Sequence, residues 1–102
     1  MTFGTSNCQK HDIVKKDMEQ IYYTEANREY LVIEMAQGGG EYVDTYAKVM
    51  GCSDNSVQEF GRTIRQNYSK IVPTSNTPAA DVLQNVKKQI RSNFVLAMTC
   101  SA

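Results

Sequence analysis

Glu34-Met35-Ala36-Gln37-Gly38-Gly39-Gly40-Glu41-Tyr42 is the stretch that organises this chain. Each glycine in a helix interior costs about 1 kcal/mol relative to alanine, so three in a row end a helix. Glycine also supplies the positive φ that a helix C-cap needs. On both sides the apolar residues recur at helical spacing. Before the break these are Ile21, Tyr22, Ala26, Tyr30, Ile33 and Ala36, with Leu31 and Met35 widening the stripe. After it come Tyr42, Val43, Tyr46, Ala47 and Met50. Gly38, Gly39 and Gly40 therefore read as a helix-breaking hinge between a helix over about 11–37 and another over 41–50. The N-terminal part of the first reads as a separate short helix ending near Tyr23, with Thr24 capping the next.

Further along, Gly51 stops the second helix. Ser56-Val57-Gln58-Glu59 fits a capping box ahead of the stripe Val57, Phe60, Ile64, Tyr68 and Ile71. Pro73 ends that helix, and Thr77-Pro78 opens the last, with threonine as N-cap and proline at the first helical position. Val82, Leu83, Val86, Ile90, Phe94 and Ala97 share one face of it. Val95, Leu96 and Met98 make its last turn apolar all round, which predicts burial or an interface. No segment alternates with the period of a strand. The sequence predicts one all-α domain over 1–102, a compact bundle of four to five short helices, with 1–10 as a loop or extended arm.

The 102 residues are 41% hydrophobic with no tryptophan, suited to one modest core. No apolar run approaches the ~20 residues that span a bilayer. Met1 to Asn7 lacks the basic and apolar regions of a signal peptide. Net charge is zero, so nothing draws the chain as a whole to nucleic acid. The charges are nevertheless segregated. Residues 17–44 hold seven acids against Arg28, and residues 62–91 hold six bases against Asp81. This predicts an acidic first half facing a basic second half across the bundle, or else head-to-tail self-association or a polar partner.

Chemistry is sparse. Cys8 and His11 sit three apart, but a zinc site needs about four ligands and a thiol nucleophile needs a positioned base. The glycine segment lacks the lysine and hydroxyl of a phosphate loop, and Glu41 stands where phosphate would sit. Glu25, Glu29, Glu34 and Asp44 have no histidine at the spacing of di-metal bundles, so they read as a solvated face. Lys87, Lys88 and Arg91 form a small basic patch without the wider field that nucleic acid requires. No catalytic, cofactor-binding or metal-ligating residue is assigned. Six tyrosines suit either a core or a protein interface. The three cysteines, Cys8, Cys52 and Cys100, fit one disulfide plus a free thiol in an exported protein, or three inert thiols in a reducing compartment.

The landmarks combine into a pattern. Thr2-Phe3-Gly4-Thr5-Ser6-Asn7-Cys8 comes first, then the Met-Ala-x-Gly-x-Gly-Glu core over 35–41, then Gly51-Cys52. The Asn-Tyr-x-x-Ile-x-Pro ending at 67–73 and the Asp81-Val82-Leu83 helix follow. In this order, from Thr2 to about Ile90, the chain resembles the domain of unknown function 3015 family of exported bacterial proteins. The resemblance implies a signal peptide, a periplasmic or envelope location, and no established activity or site residues to carry over. It also implies a glycine- and cysteine-containing segment ahead of Thr2. Its absence reads as a trimmed chain or a short variant.

Export motivates a disulfide. Cys8 and Cys52 both flank helix starts and are paired first, with Cys100 left near a frayed terminus. The functional expectation is a non-enzymatic structural or interaction module of the cell envelope, with another envelope protein or a second copy as partner. The rival expectation is a small-ligand bundle, with Tyr30, Met35, Tyr46 and Met50 lining an apolar pocket of at least ~300 Å³. An enzyme would require Cys8, His11 and Asp12 to converge in a cleft.

Overall fold

The glycine segment forms a packed corner between three helices. In the computed structural model, which describes residues 17–100, α1 covers 17–26, α2 Arg28–Gln37 and α3 Glu41–Val49. A 3₁₀ turn at Asp54–Ser56 leads into α4, Val57–Gln66. Then come α5 (Tyr68–Ile71), α6 (Ala79–Ser92) and α7 (Phe94–Thr99). At the end of α2, Gly38 takes a left-handed φ of 92°, and the amides of Gly38 and Gly39 both reach the Glu34 carbonyl, at 2.9 and 3.0 Å. Glu34 then folds its carboxylate over the corner, where Oε1 accepts the Val43 amide of the first turn of α3 at 2.9 Å. This negative charge suits a helix N-terminus. On the far side lies Gly61 of α4. A Cβ there would stand 2.7 Å from the Gly38 carbonyl oxygen. The expected hinge is thus held in place by α4.

Among the described residues there are seven helices, more than the four to five that periodicity predicts, and three asparagines account for the difference. Asn27 and Asn67 adopt nearly the same conformation, φ −117°, ψ 16° and φ −113°, ψ 21°. Each donates its side-chain amide to the carbonyl four residues back, Tyr23 at 3.0 Å and Thr63 at 2.8 Å. Backbone bonds continue through both positions, so these are kinks that leave the apolar period intact. The first break therefore falls at Asn27. Thr24 lies within α1, its hydroxyl donated to the Gln20 carbonyl at 2.7 Å. Asn93 makes a full break, extended at φ −101°, ψ 121°.

Two other expected helix starts take different forms. The Ser56–Glu59 capping box does not form. The Ser56 hydroxyl bonds the Ser53 carbonyl at 2.9 Å within the 3₁₀ turn, and Glu59 turns to Arg62 and Asn93. Thr77 closes a turn with Thr74 instead of capping α6, so Pro78 becomes the N-cap, its carbonyl accepting the Val82 amide at 3.0 Å. Arg28 pins that turn to α2, donating to the carbonyls of Thr77 and Ser75 at 2.8 and 3.0 Å.

The core centres on Tyr46, which is fully buried. Its ring stacks on Tyr23 at 5.5 Å and meets Phe60 edge-on at 6.2 Å. Its hydroxyl lies 2.7 Å from Thr24 Oγ1. Because Thr24 donates its one hydrogen to Gln20, Tyr46 is the donor in that pair. Leu31, Met35, Val43, Phe60, Ile64 and Val86 complete the centre, one stripe from each of α2, α3, α4 and α6.

The disulfide corrects the expected pairing. Cys52 is bonded to Cys100, across a sequence separation of 48, and Cys8 lies outside the described residues. Cys100 is buried rather than frayed. The break at Asn93 turns α7 back toward the start of α4, which brings the C-terminal segment beside the turn after α3. There Cys52 and Cys100 form an isolated antiparallel bridge, and the Ser53 amide donates to the Thr99 carbonyl at 3.0 Å.

Candidate functional site

The short helix α7 is fixed at both ends and offers its outer side to solvent. At its start, Asn93 Oδ1 accepts the Leu96 amide at 3.0 Å, an N-cap. The same side chain donates to Glu59 Oε2 at 2.8 Å and Thr63 Oγ1 at 2.9 Å on α4. Hydrogen bonds from Arg62, then from Asn93, hold the Glu59 carboxyl below the usual glutamate range. At its end, α7 runs into the disulfide. Leu96 anchors it in the core, while Phe94 is 80% and Met98 72% exposed, with Val95 beside them. Sequence reading foresaw the apolar turn but not Asn93 as the residue that sets it. The available signal was an N-cap-type residue directly before an uninterrupted apolar run.

Behind Asn93 runs a polar groove of about 470 Å³ between α4–α5 and α6. Thr63, Gln66, Asn67 and Lys70 form one wall, and Lys88, Gln89, Ser92 and Asn93 the other. A second groove, about 340 Å³ and more apolar, lies between α1 and α6, lined by Met18, Ile21, Ala80 and Leu83. The Lys87–Asp17 pair, at 3.7 Å, borders it.

The residues singled out in the sequence separate. Met35, Tyr46 and Met50 are fully buried in the packed core, whereas Tyr30 is 53% exposed and stacks on Tyr42 at 4.7 Å. They do not gather around one opening, so the expected Tyr/Met-lined pocket is replaced by core packing. Burial raises the Tyr46 hydroxyl well above the ordinary tyrosine range, and partial burial raises that of Tyr23. Cys8, His11 and Asp12 lie outside the described residues. Among the described residues no three His, Cys, Asp or Glu side chains cluster as metal ligands. No helix there is long and apolar enough to cross a membrane.

The basic trio also divides. Lys87 turns to Asp17, and Lys88 lines the polar groove. Of the ion pairs among the described residues, Lys87–Asp17 alone joins the acidic and basic stretches; Lys48–Asp54 and Arg62–Glu59 are local. Close ion pairing between the two stretches is thus limited, among the described residues, to Lys87–Asp17. Glu34 turns inward to α3, and Arg28 is engaged with carbonyls.

The glycine corner, the disulfide and the grooves define a small disulfide-closed helical domain. Residues 1–100 match the family model described as "Protein of unknown function (DUF3015)", and the chain belongs to that family. No curated protein and no solved structure matches it.

Proposed function

We propose that this is an exported, non-enzymatic interaction module of the bacterial cell envelope, which meets a partner protein through the outer face of α7. The observation that carries the reading is Phe94 and Met98, exposed side by side on a helix whose two ends are fastened. Large apolar side chains held rigidly in water are what a docking face presents, because little ordering remains to be done on binding. The Cys52–Cys100 disulfide supports an oxidising compartment.

The test is a photo-cross-linking residue at position 94, with position 69 on the exposed side of α5 as control, in a bacterium that encodes the protein. The expected result is one discrete adduct specific to position 94, recovered from the periplasmic fraction. An adduct of twice the chain mass would identify a second copy as the partner. Equal labelling at both positions, or protein confined to the cytoplasmic fraction, would overturn the reading.

A further inference from the structure

Beyond docking through α7, we propose that the groove between α4–α5 and α6 binds a small polyhydroxylated anion, such as a phosphorylated or carboxylated sugar. Helix pairs usually close over one another with aliphatic side chains. Here the aliphatic residues Ile64, Val86 and Ile90 face the core, and the described residues along the rims all carry a polar or charged group. Among the described residues no carboxylate lines the groove, while Lys70 and Lys88 both do. Neither lysine has an ion-pair partner among the described residues, in contrast to Lys87 and Lys48. Two unneutralised ammonium groups on opposite walls favour a ligand carrying negative charge.

The walls between the lysines supply hydroxyl recognition. The side chains of Gln66 and Gln89 make no hydrogen bond among the described residues, and both border the groove. Each offers an amide donor and an amide acceptor, the pairing that matches a sugar hydroxyl. Deeper in, the groove is preorganised. Asn67 is tied to the Thr63 carbonyl, and Asn93 to Thr63 and Glu59. The volume, about 470 Å³, lies in the range of small-molecule sites and suits a single sugar unit with one anionic substituent. Glu59, which accepts from the groove-lining Asn93, has its charge offset by the ion pair with Arg62.

The probe is glucose 6-phosphate, titrated into ¹⁵N-labelled protein, with glucose and inorganic phosphate run in parallel. Saturable shifts confined to residues 66–70 and 88–93 are expected, with weaker binding of either fragment. Lys70→Gln and Lys88→Gln should each weaken the affinity about tenfold, as loss of one charge-assisted hydrogen bond implies. Lys48→Gln, on an exposed lysine outside the groove, should leave it unchanged. Both groove lysines are exposed and have no ion-pair partner among the described residues, so folding is not at stake in these variants. The absence of saturable shifts up to about 10 mM probe would overturn the proposal. So would shifts that persist undiminished in the doubly substituted protein, or inorganic phosphate binding as tightly as the sugar phosphate.

Discussion

The glycine corner and the disulfide corner solve the same problem by opposite means. Both bring segments from different parts of the chain into close register. At Gly38–Gly61 the fit comes from missing atoms: a carbonyl oxygen occupies the space a Cβ would fill. At Cys52–Cys100 it comes from an added covalent bond, set beside the backbone hydrogen bond from Ser53 to Thr99. The first is indifferent to redox conditions and intolerant of any side chain. The second tolerates its neighbours but depends on the compartment. A small domain with a limited core thus has two fasteners that fail under different conditions.

The largest effect should come from the disulfide corner. Replacing Cys52 and Cys100 with serine opens a loop of separation 48, worth about 4 kcal/mol in the loop-entropy model. Urea unfolding should show this loss, and reductant should lower the wild-type midpoint while leaving the double variant unmoved. Next comes Gly61→Ala, where backbone lies on both sides and neither can withdraw; a destabilisation of about 2–3 kcal/mol is expected, independent of reductant. If reductant changed that penalty, the two corners would be coupled rather than separate.

Asn93→Ala should cost about 1–2 kcal/mol by removing the cap of α7 together with its bonds to Glu59 and Thr63. The helical signal from α7 should fall with it. A smaller effect concerns pH. Glu59 is depressed in the folded state, so its contribution is present above the unfolded glutamate pKa of about 4.3 and is lost as pH falls through the lower folded value. The melting-temperature gap between wild type and Glu59→Gln should therefore narrow from about pH 6 to about pH 3. The smallest effect is expected at Phe94→Ser, within about 0.5 kcal/mol, because the ring is already in water. A large loss there would mean that α7 supports the fold rather than a partner.

What the sequence disclosed was local. The break at Gly38, the stripe through Phe60 and Ile64, and the stop at Pro73 each follow from a neighbouring residue's own geometry. The asparagine kinks were hidden because Asn27 and Asn67 return a bond to the preceding turn, so the apolar period passes through without a skip. Ser56 matched a capping pattern, yet its hydroxyl found Ser53 first. The cysteine pairing was the least legible feature. It is decided by where α7 turns after Asn93, one short helix before Cys100 and far from Cys52 in sequence. The candidate surfaces fared similarly. The apolar last turn could be read directly, but the partition of Lys87 and Lys88 between two grooves depends on how α6 sits between α1 and α4.

The Cys52–Cys100 bond also gives the molecule a topology that its helices do not reveal. Everything from α4 to α7 lies on a closed covalent ring, and α1 to α3 form a tail attached to it. A protease that cuts once in the turn at 73–77 opens the ring but releases no fragment. The nicked chain should keep its full mass on a gel without reductant, and only reduction should divide it in two.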